Sequence, residues 1–266
     1  MKKQKIIMPI ILLMSVGLIF NCQSAASEEE INNGQDITKP LTRVDVRQKY
    51  QDLPGDNFTS VTTLRVDKPF VLDSGWVAST RTDLPFAYTD VPSTDNPNGD
   101  KEFGVSDSLI QLLMIAPMEG REWTWIYGFQ ALFPSASHNE MGTGRFQFAP
   151  LMAAKINTPS LGKGAWAAVL IKNYFDAGGD GARTEVNQLS IQPLLNLNFP
   201  KMWFVTFAPD MRVNWEEDGA WFIPFDVTVG KMVNNSTVVS LEYKVPIVDD
   251  YKQYEHEIEA RIGFFF

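Results

Sequence analysis

The chain ends in EHEIEARIGFFF, residues 255–266, and the reading of this stretch decides the reading of the rest. Together with Tyr254, one set of alternate positions is Tyr254, His256, Ile258, Ala260, Ile262, Phe264 and Phe266. The other set is Glu255, Glu257, Glu259, Arg261, Gly263 and Phe265. A period of two is that of a strand, whose successive side chains leave on opposite faces. At helical spacing the glutamates would scatter round the cylinder and no apolar stripe would survive. Two environments suit such a strand. At the edge of a soluble sandwich the charged face meets water and the apolar face a core. In a membrane barrel the apolar face meets lipid and the charged face a lumen.

The opposite end of the chain bears on the choice. MKKQKIIMPIILLMSVGLIF carries three lysines and then an apolar run, followed by small residues in SAAS. This is the pattern of a secretory signal, with cleavage expected after Ala26. Ile19 and Cys22 have the spacing of a lipoprotein anchor, against which Asn21 directly before the cysteine is a poor fit. Cys22 is the single cysteine, so a chain cut after Ala26 has neither disulfide nor thiol chemistry. It also loses Lys2, Lys3 and Lys5 from 23 Lys and Arg, against 32 Asp and Glu, giving a net charge of −12. Such acidity excludes nucleic acid as an expected partner. No later stretch approaches the ~20 apolar residues of a membrane helix.

Residues 27–39, SEEEINNGQDITK, are polar and unpatterned, and are expected to form a flexible N-terminal arm. From Pro40 to Phe266 strand-like segments and turn signals alternate, giving about twelve segments of barrel-strand length. In GRFQFAPLMAAKI the outward set is Phe146, Phe148, Met152 and Ile156, with Arg145, Gln147 and Lys155 inward. In STVVSLEYKVPIV it is Val239, Leu241, Tyr243 and Val245, with Ser240, Glu242 and Lys244 inward. GAWAAVLIKNYF resists assignment because Lys172 and Asn173 are adjacent, and FGVSDSLIQLLMIA is equally blurred.

The connections alternate too. LDSG, PMEGRE, NTPSLGKG, NFPK and VNNS are short, whereas YTDVPSTDNPNGDKE, PSASHNEMGTG and DAGGDGART are long. Short turns at one end and long loops at the other are the habit of a barrel with an even strand number. Tryptophan favours the boundary between hydrocarbon and water. Trp76, Trp123, Trp166 and Trp203 each open a strand at the short-turn end, where Phe70, Phe199 and Phe266 close others. Trp215 and Trp221 flank a loop at the far end, with Tyr50 and Tyr254 at similar height. A soluble sandwich has no reason to sort tryptophans this way. The expected fold is therefore all-β: a single antiparallel up-and-down transmembrane β-barrel of about 12 strands, after a cleaved signal peptide at 1–26.

The final RIGFFF resembles the C-terminal recognition signal of Gram-negative outer-membrane barrels. LTRVDVRQKYQDLPG, LRVDKPF, TRTDLPF, GFQALFPSA, GTGRFQFAP, VNQLSIQPLLNLNF and WFIPFDVTVGK at 221–231 resemble a family of outer-membrane transporter-like proteins named for the meta pathway of phenol degradation. The resemblance runs through nearly all of the chain after residue 40. It implies a place in the cell outer membrane, among its lipids and lipopolysaccharide, with assembly through the C-terminal strand by the barrel-assembly machinery. It further implies a channel or transporter for small molecules, hydrophobic or aromatic ones among them, without naming the solute.

The phases assigned above turn ten basic groups inward: Arg43, Arg47, Lys49, Arg65, Arg81, Arg145, Lys155, Arg212, Lys244 and Arg261. They turn ten acidic groups to meet them: Asp45, Asp67, Asp83, Asp107, Asp210, Asp226, Glu242, Glu255, Glu257 and Glu259. Such balance suggests an ion-paired interior, since an unpaired charge in a narrow lumen is costly. The interior either fills the barrel as a closed structural element or lines a channel.

Catalytic residues are scarce, and no cofactor or metal is expected. His138 lies beside Ser135 and Ser137 in SASHNEMG, which raises a lipid-modifying enzyme as an alternative. Adjacent loop positions do not hold a nucleophile, base and orienting group in place. DAGGDGART, NWEEDG and VDDYKQ are acidic but lack the spacing of a calcium loop.

Overall fold

The computed structural model describes residues 32–117 and 122–266. The expected signal segment 1–26, residues 27–31 of the expected arm, and residues 118–121 of the PMEGRE turn lie outside the described residues. The chain forms β1 (Arg43–Leu53), β2 (Asn57–Val71), β3 (Val77–Thr89), β4 (Glu102–Val105), β5 (Ser108–Ile115), β6 (Trp123–Phe133) and β7 (Arg145–Asn157). It continues with β8 (Trp166–Gly179), β9 (Asn187–Phe199), β10 (Trp203–Phe207), β11 (Met211–Asn214), β12 (Ala220–Asn234), β13 (Thr237–Asp249) and β14 (His256–Phe265).

These fourteen pieces make twelve barrel strands. β4 and β5 pair successive stretches of β3, so they are one strand interrupted at Ser106 and Asp107. β10 and β11 both lie between β9 and β12 and are one strand broken between Phe207 and Met211. All pairings are antiparallel, and β14 pairs with β1 from Arg43↔Phe265 to Asp52↔His256, closing the sheet on itself. Closure is what hydrocarbon demands, because an open edge would leave backbone N–H and C=O groups without partners.

Most strands have 10–15 residues, which at about 3.3 Å per residue cross a bilayer when tilted. Their outer faces carry Val46, Leu64, Leu84, Ile110, Met152, Val229, Leu241 and Ile262, all exposed to the surroundings. Leu241 is 56% exposed while Val238, on the inner face of the same strand, is fully buried. Aromatic residues ring both ends of this band. Trp123, Trp203 and Phe199 stand at the short-turn end, where the Lys231 ammonium lies 5.4 Å from the Trp203 ring centre. Trp215, Trp221 and Tyr50 stand at the long-loop end.

Trp166 departs from the expected belt. Its partner across the sheet is Asn196, on the inner face of β9, and its side chain is buried in the lumen. Tyr254 is also inside: it precedes the first residue of β14, and its ring meets Phe222 edge-on at 5.0 Å. Lys172 and Asn173 simply alternate. Lys172 faces inward opposite Leu151, and Asn173 faces outward, its side chain bonded to Asn187 and Trp215.

Residues 32–39, expected as part of a flexible arm, pack inside the wall. The Asn33 side chain donates to Asn198, Arg43 donates to the Gly34 carbonyl, and Lys155 pairs with Asp36 at 3.0 Å. Ile37 packs against the apolar cluster of Ile115, Ile126 and Ala153, and Leu41 against Phe204, Met232, Val238 and Phe265. Gly34 sits at φ +69 with the Phe265 ring where a side chain would begin, so glycine is required there. The segment looked unstructured because it is polar, but the lumen that receives it is polar as well.

The alternation of β13 can be checked directly. Leu241→Arg, on the lipid face near the middle of the band, is expected to cost about 2–4 kcal/mol of folding stability. Ser240→Arg, facing the lumen, should cost far less. Urea unfolding in lipid vesicles measures both, and equal losses would contradict the assigned faces.

Candidate functional site

The lumen is the site, and its two halves differ. On β14, β1, β2 and β3 many of the inward positions are charged, and the register places opposite signs side by side. Asp67 is bonded by Arg43 Nε at 2.6 Å and by Arg81 Nε at 2.9 Å. Arg65 and Asp83 form a two-point pair at 2.7 and 2.6 Å. Arg47 donates to Glu259 at 2.6 Å across the closing seam. Asp45 is completely buried and is the hub, with Arg261 at 3.1 Å, Arg47 at 3.4 Å and Arg43 at 3.7 Å. Paired guanidinium and carboxylate groups of this kind hold one another in fixed orientation.

Further towards the long loops, Lys244 lies 2.8 Å from Glu257, 3.5 Å from Glu242 and 4.0 Å from Asp226. Arg212 is bound to Asp210, which also accepts from Ser190 at the break between β10 and β11. Arg145 faces Asp176 at 3.3 Å. Lys49 is on the same inner face, opposite Glu259.

Eighteen of the nineteen strand charges assigned inward beside Asp107 therefore lie on the inner face. Glu255 does not. It precedes β14, its side chain is 46% exposed, and it pairs with Lys252 at 2.5 Å. The alternation cannot extend past the end of the strand that produces it. Asp107 is also no part of the lumen network: at the break between β4 and β5 it accepts from the backbone of Thr143 at 2.7 Å and of Ala136 at 3.2 Å. It thereby ties the long loop after β6 to the strand end.

The other half of the lumen, on β5–β9, presents aliphatic groups to the middle of the barrel, with amides among them and the charged Arg145, Lys155, Lys172 and Asp176 above and below. Leu109, Leu113, Ile126, Leu151, Leu170 and Leu194 face inward there. Gln130 donates to Gln111 at 2.7 Å and accepts from the Tyr174 hydroxyl at 3.0 Å. Between the two halves lies a cavity of about 370 Å³, floored by residues 34–41 and walled on the charged side by Arg43, Arg47, Arg65, Arg81 and Arg261. None of the apolar wall was assigned as site from sequence. In SLIQLLMI both faces are apolar, so period two leaves no signature.

The loop residues weighed for catalysis are engaged otherwise. Ser135 Oγ bonds Ser108 Oγ and the Ser106 carbonyl, and Ser137 Oγ receives the Val105 backbone N–H. His138 Nδ1 lies 2.9 Å from Glu102. With Glu140, these two place ligand atoms within 4.8 Å of one another at a half-exposed loop surface.

Neither the protein-family models nor the curated proteins contain a match to the chain. Solved structures do match. The COG4313 outer membrane channel from Pseudomonas putida F1 superposes with a TM-score of 0.68 at 14% identity, covering 89% of this chain and 100% of that one. The NanC porin gives 0.55 at 13% identity over 84% and 98% of the two chains. The KdgM porin gives 0.52 at 10% identity over 84% and 99%. The fold is that of the outer-membrane porin-like barrels.

The hub role of Asp45 has a measurable consequence. Asp45→Asn leaves three guanidinium groups around a neutral amide, and breaking a buried ion pair costs about 3–5 kcal/mol. Glu255→Gln, at the exposed rim, should change stability by less than about 0.5 kcal/mol. Unfolding midpoints of the two variants that moved together would contradict this assignment.

Proposed function

We propose that the protein is a channel in the outer membrane of a Gram-negative bacterium, through which a small, hydrophobic or aromatic molecule passes without catalysis. The observation that carries this reading is the cavity of about 370 Å³ between a charged wall and an apolar one, inside a closed barrel. A barrel serving only as a membrane anchor has no use for a two-sided interior space. The segment Asn32–Leu41 forms the floor of that space and rests on one buried ion pair, a few hydrogen bonds and two small apolar contacts. It is held in place by far fewer contacts than a strand.

The fold shared with porins and an outer membrane channel supports the reading, as does the resemblance of the sequence to the transporter-like family named for the meta pathway of phenol degradation. In this reading the lipid-facing band sits among outer-membrane lipids and lipopolysaccharide. The last strand, with Phe264 and Phe266 outward, is the element read by the barrel-assembly machinery. The short-turn end faces the periplasm and the long loops face outside.

Two measurements test this. In planar bilayers the full-length protein should give small discrete current steps. Asp36→Asn combined with Ile37→Ser, which removes the ion pair and one of the two apolar contacts of the floor segment, should raise the step size severalfold. Absence of current from both proteins would make the barrel a closed structural element. For orientation, Asn98→Cys in the loop between β3 and β4 should react with an impermeant thiol label on intact cells, and Asn235→Cys in the β12–β13 turn should not. Both positions are exposed. Equal labelling would reverse or abolish the assigned topology.

A further inference from the structure

We infer that the cavity selects a singly charged amphiphilic carboxylate, a molecule with one carboxylate head and a compact ring or branched apolar body. This deepens the channel reading and rests on it for the passage of that molecule, but not for its binding.

Five guanidinium groups face the cavity from four adjoining strands: Arg43, Arg47, Arg65, Arg81 and Arg261. Their carboxylate partners are Asp45, Asp67, Asp83 and Glu259, one fewer. Asp36, which also borders the space, is taken up by Lys155. The wall as a whole is balanced once Lys49, Lys244, Asp226, Glu242 and Glu257 are included, but of its carboxylates only Asp67 borders the cavity beside these five guanidinium groups.

Donor geometry points the same way. The Nε–H of Arg47 is buried and has no acceptor. The Nε of Arg261, a side chain only 4% exposed, lies 3.1 Å from Asp45 but out of hydrogen-bonding alignment, and it too has no acceptor. Buried donors without acceptors are costly, and an anion reaching them supplies what the fold does not. A carboxylate fits best, since its two oxygens match the planar fork of a guanidinium.

The facing wall sets the rest of the ligand. Leu113, Leu151, Leu170 and Leu194 offer only apolar contact, and Lys172 on that side lies over the Tyr174 ring at 5.2 Å. A polyhydroxylated acid would lose its hydration against these leucines, and the amides and hydroxyl set among them, Gln111, Gln130 and Tyr174, are already bonded to one another. A neutral hydrophobe would leave the arginine donors unanswered. A cation would meet a cavity edge lined mainly by guanidinium groups. An amphiphilic monocarboxylate satisfies both walls at once, and the cavity has the size of pockets that hold small organic ligands.

The test uses the full-length protein in lipid nanodiscs and measures binding by equilibrium dialysis of three labelled probes at pH 7.5. Cyclohexanecarboxylate should bind at least about tenfold more tightly than cyclohexylmethanol, which lacks the charge-assisted bonds. It should exceed gluconate, which lacks the apolar body, by a similar factor of about ten. Arg47→Gln should erase the preference over the alcohol. Leu170→Asn, which leaves the ion pairs untouched, should erase the preference over gluconate. If either competitor binds the wild-type protein as tightly as the carboxylate, the inference is overturned, whether or not the variants fold. Bilayer current recorded on the same preparation separates the two readings. Selective binding without current would sustain the carboxylate site and remove the channel. Current without selective binding would sustain the channel and remove the carboxylate site.

Discussion

A backbone in hydrocarbon has no water to bond, so the first and last strands of this sheet must find each other across more than two hundred residues of chain. The seam between β1 and β14 is where that constraint is met. It is also where register is decided. With a side-chain period of two, a slip of one residue would turn Glu257, Glu259 and Arg261 into lipid and Ile258 and Ile262 into the lumen. Each charge so displaced would cost up to several kcal/mol near the membrane midplane. The pairing that closes the barrel is therefore the same one that brings Arg47 to Glu259 and Arg261 to Asp45. Charge pattern and closure are one specification, written twice.

The same constraint explains which parts of the molecule were legible in the sequence. Alternation shows a strand only where its two faces meet different surroundings. On β1, β2, β3, β13 and β14 the inward face is charged and the outward face apolar, and the phase assigned from residues alone agrees with the register. β7 is legible at its ends, where Arg145, Gln147 and Lys155 face inward, although its middle is aliphatic on both faces. On β5 and β8 the lumen itself is lined by leucine, so both faces are apolar and the pattern vanishes. The apolar half of the site was invisible for that reason.

The remaining departures share a cause. Residue type reports a preference for polar or apolar surroundings, and a barrel offers each of these in two places. Polar residues 32–39 could lie in water or in the lumen, and they lie in the lumen. Trp166 could lie in the interfacial belt or inside, and it is inside, opposite Asn196. Glu255 and Tyr254 exchange their expected sides because the strand that would have imposed alternation begins one residue later. Topology resolves such ambiguities, and topology is a property of the whole sheet.

The composition of the lumen also bears on why its charges are there. Buried ion pairs rarely stabilise more than well-packed aliphatic groups of the same volume, because each ion must first be desolvated. On β5–β9 this barrel also faces its interior with aliphatic groups, Leu109, Leu113, Ile126, Leu151, Leu170 and Leu194. Filling alone would favour extending that solution all the way round. Instead the strands from β12 through β3 hold a dense array of paired charges, fixed by two-point contacts and facing open volume. An array of that kind is costly as filler. It is effective as a surface of oriented dipoles whose arrangement needs no rearrangement when a charged group arrives, since its members are already held by one another. The other half contributes the complementary property, a wall of aliphatic groups whose few amides are bonded to their own neighbours. Division of the lumen into these halves, more than the barrel fold it shares with dissimilar sequences, sets the chemical character of its interior.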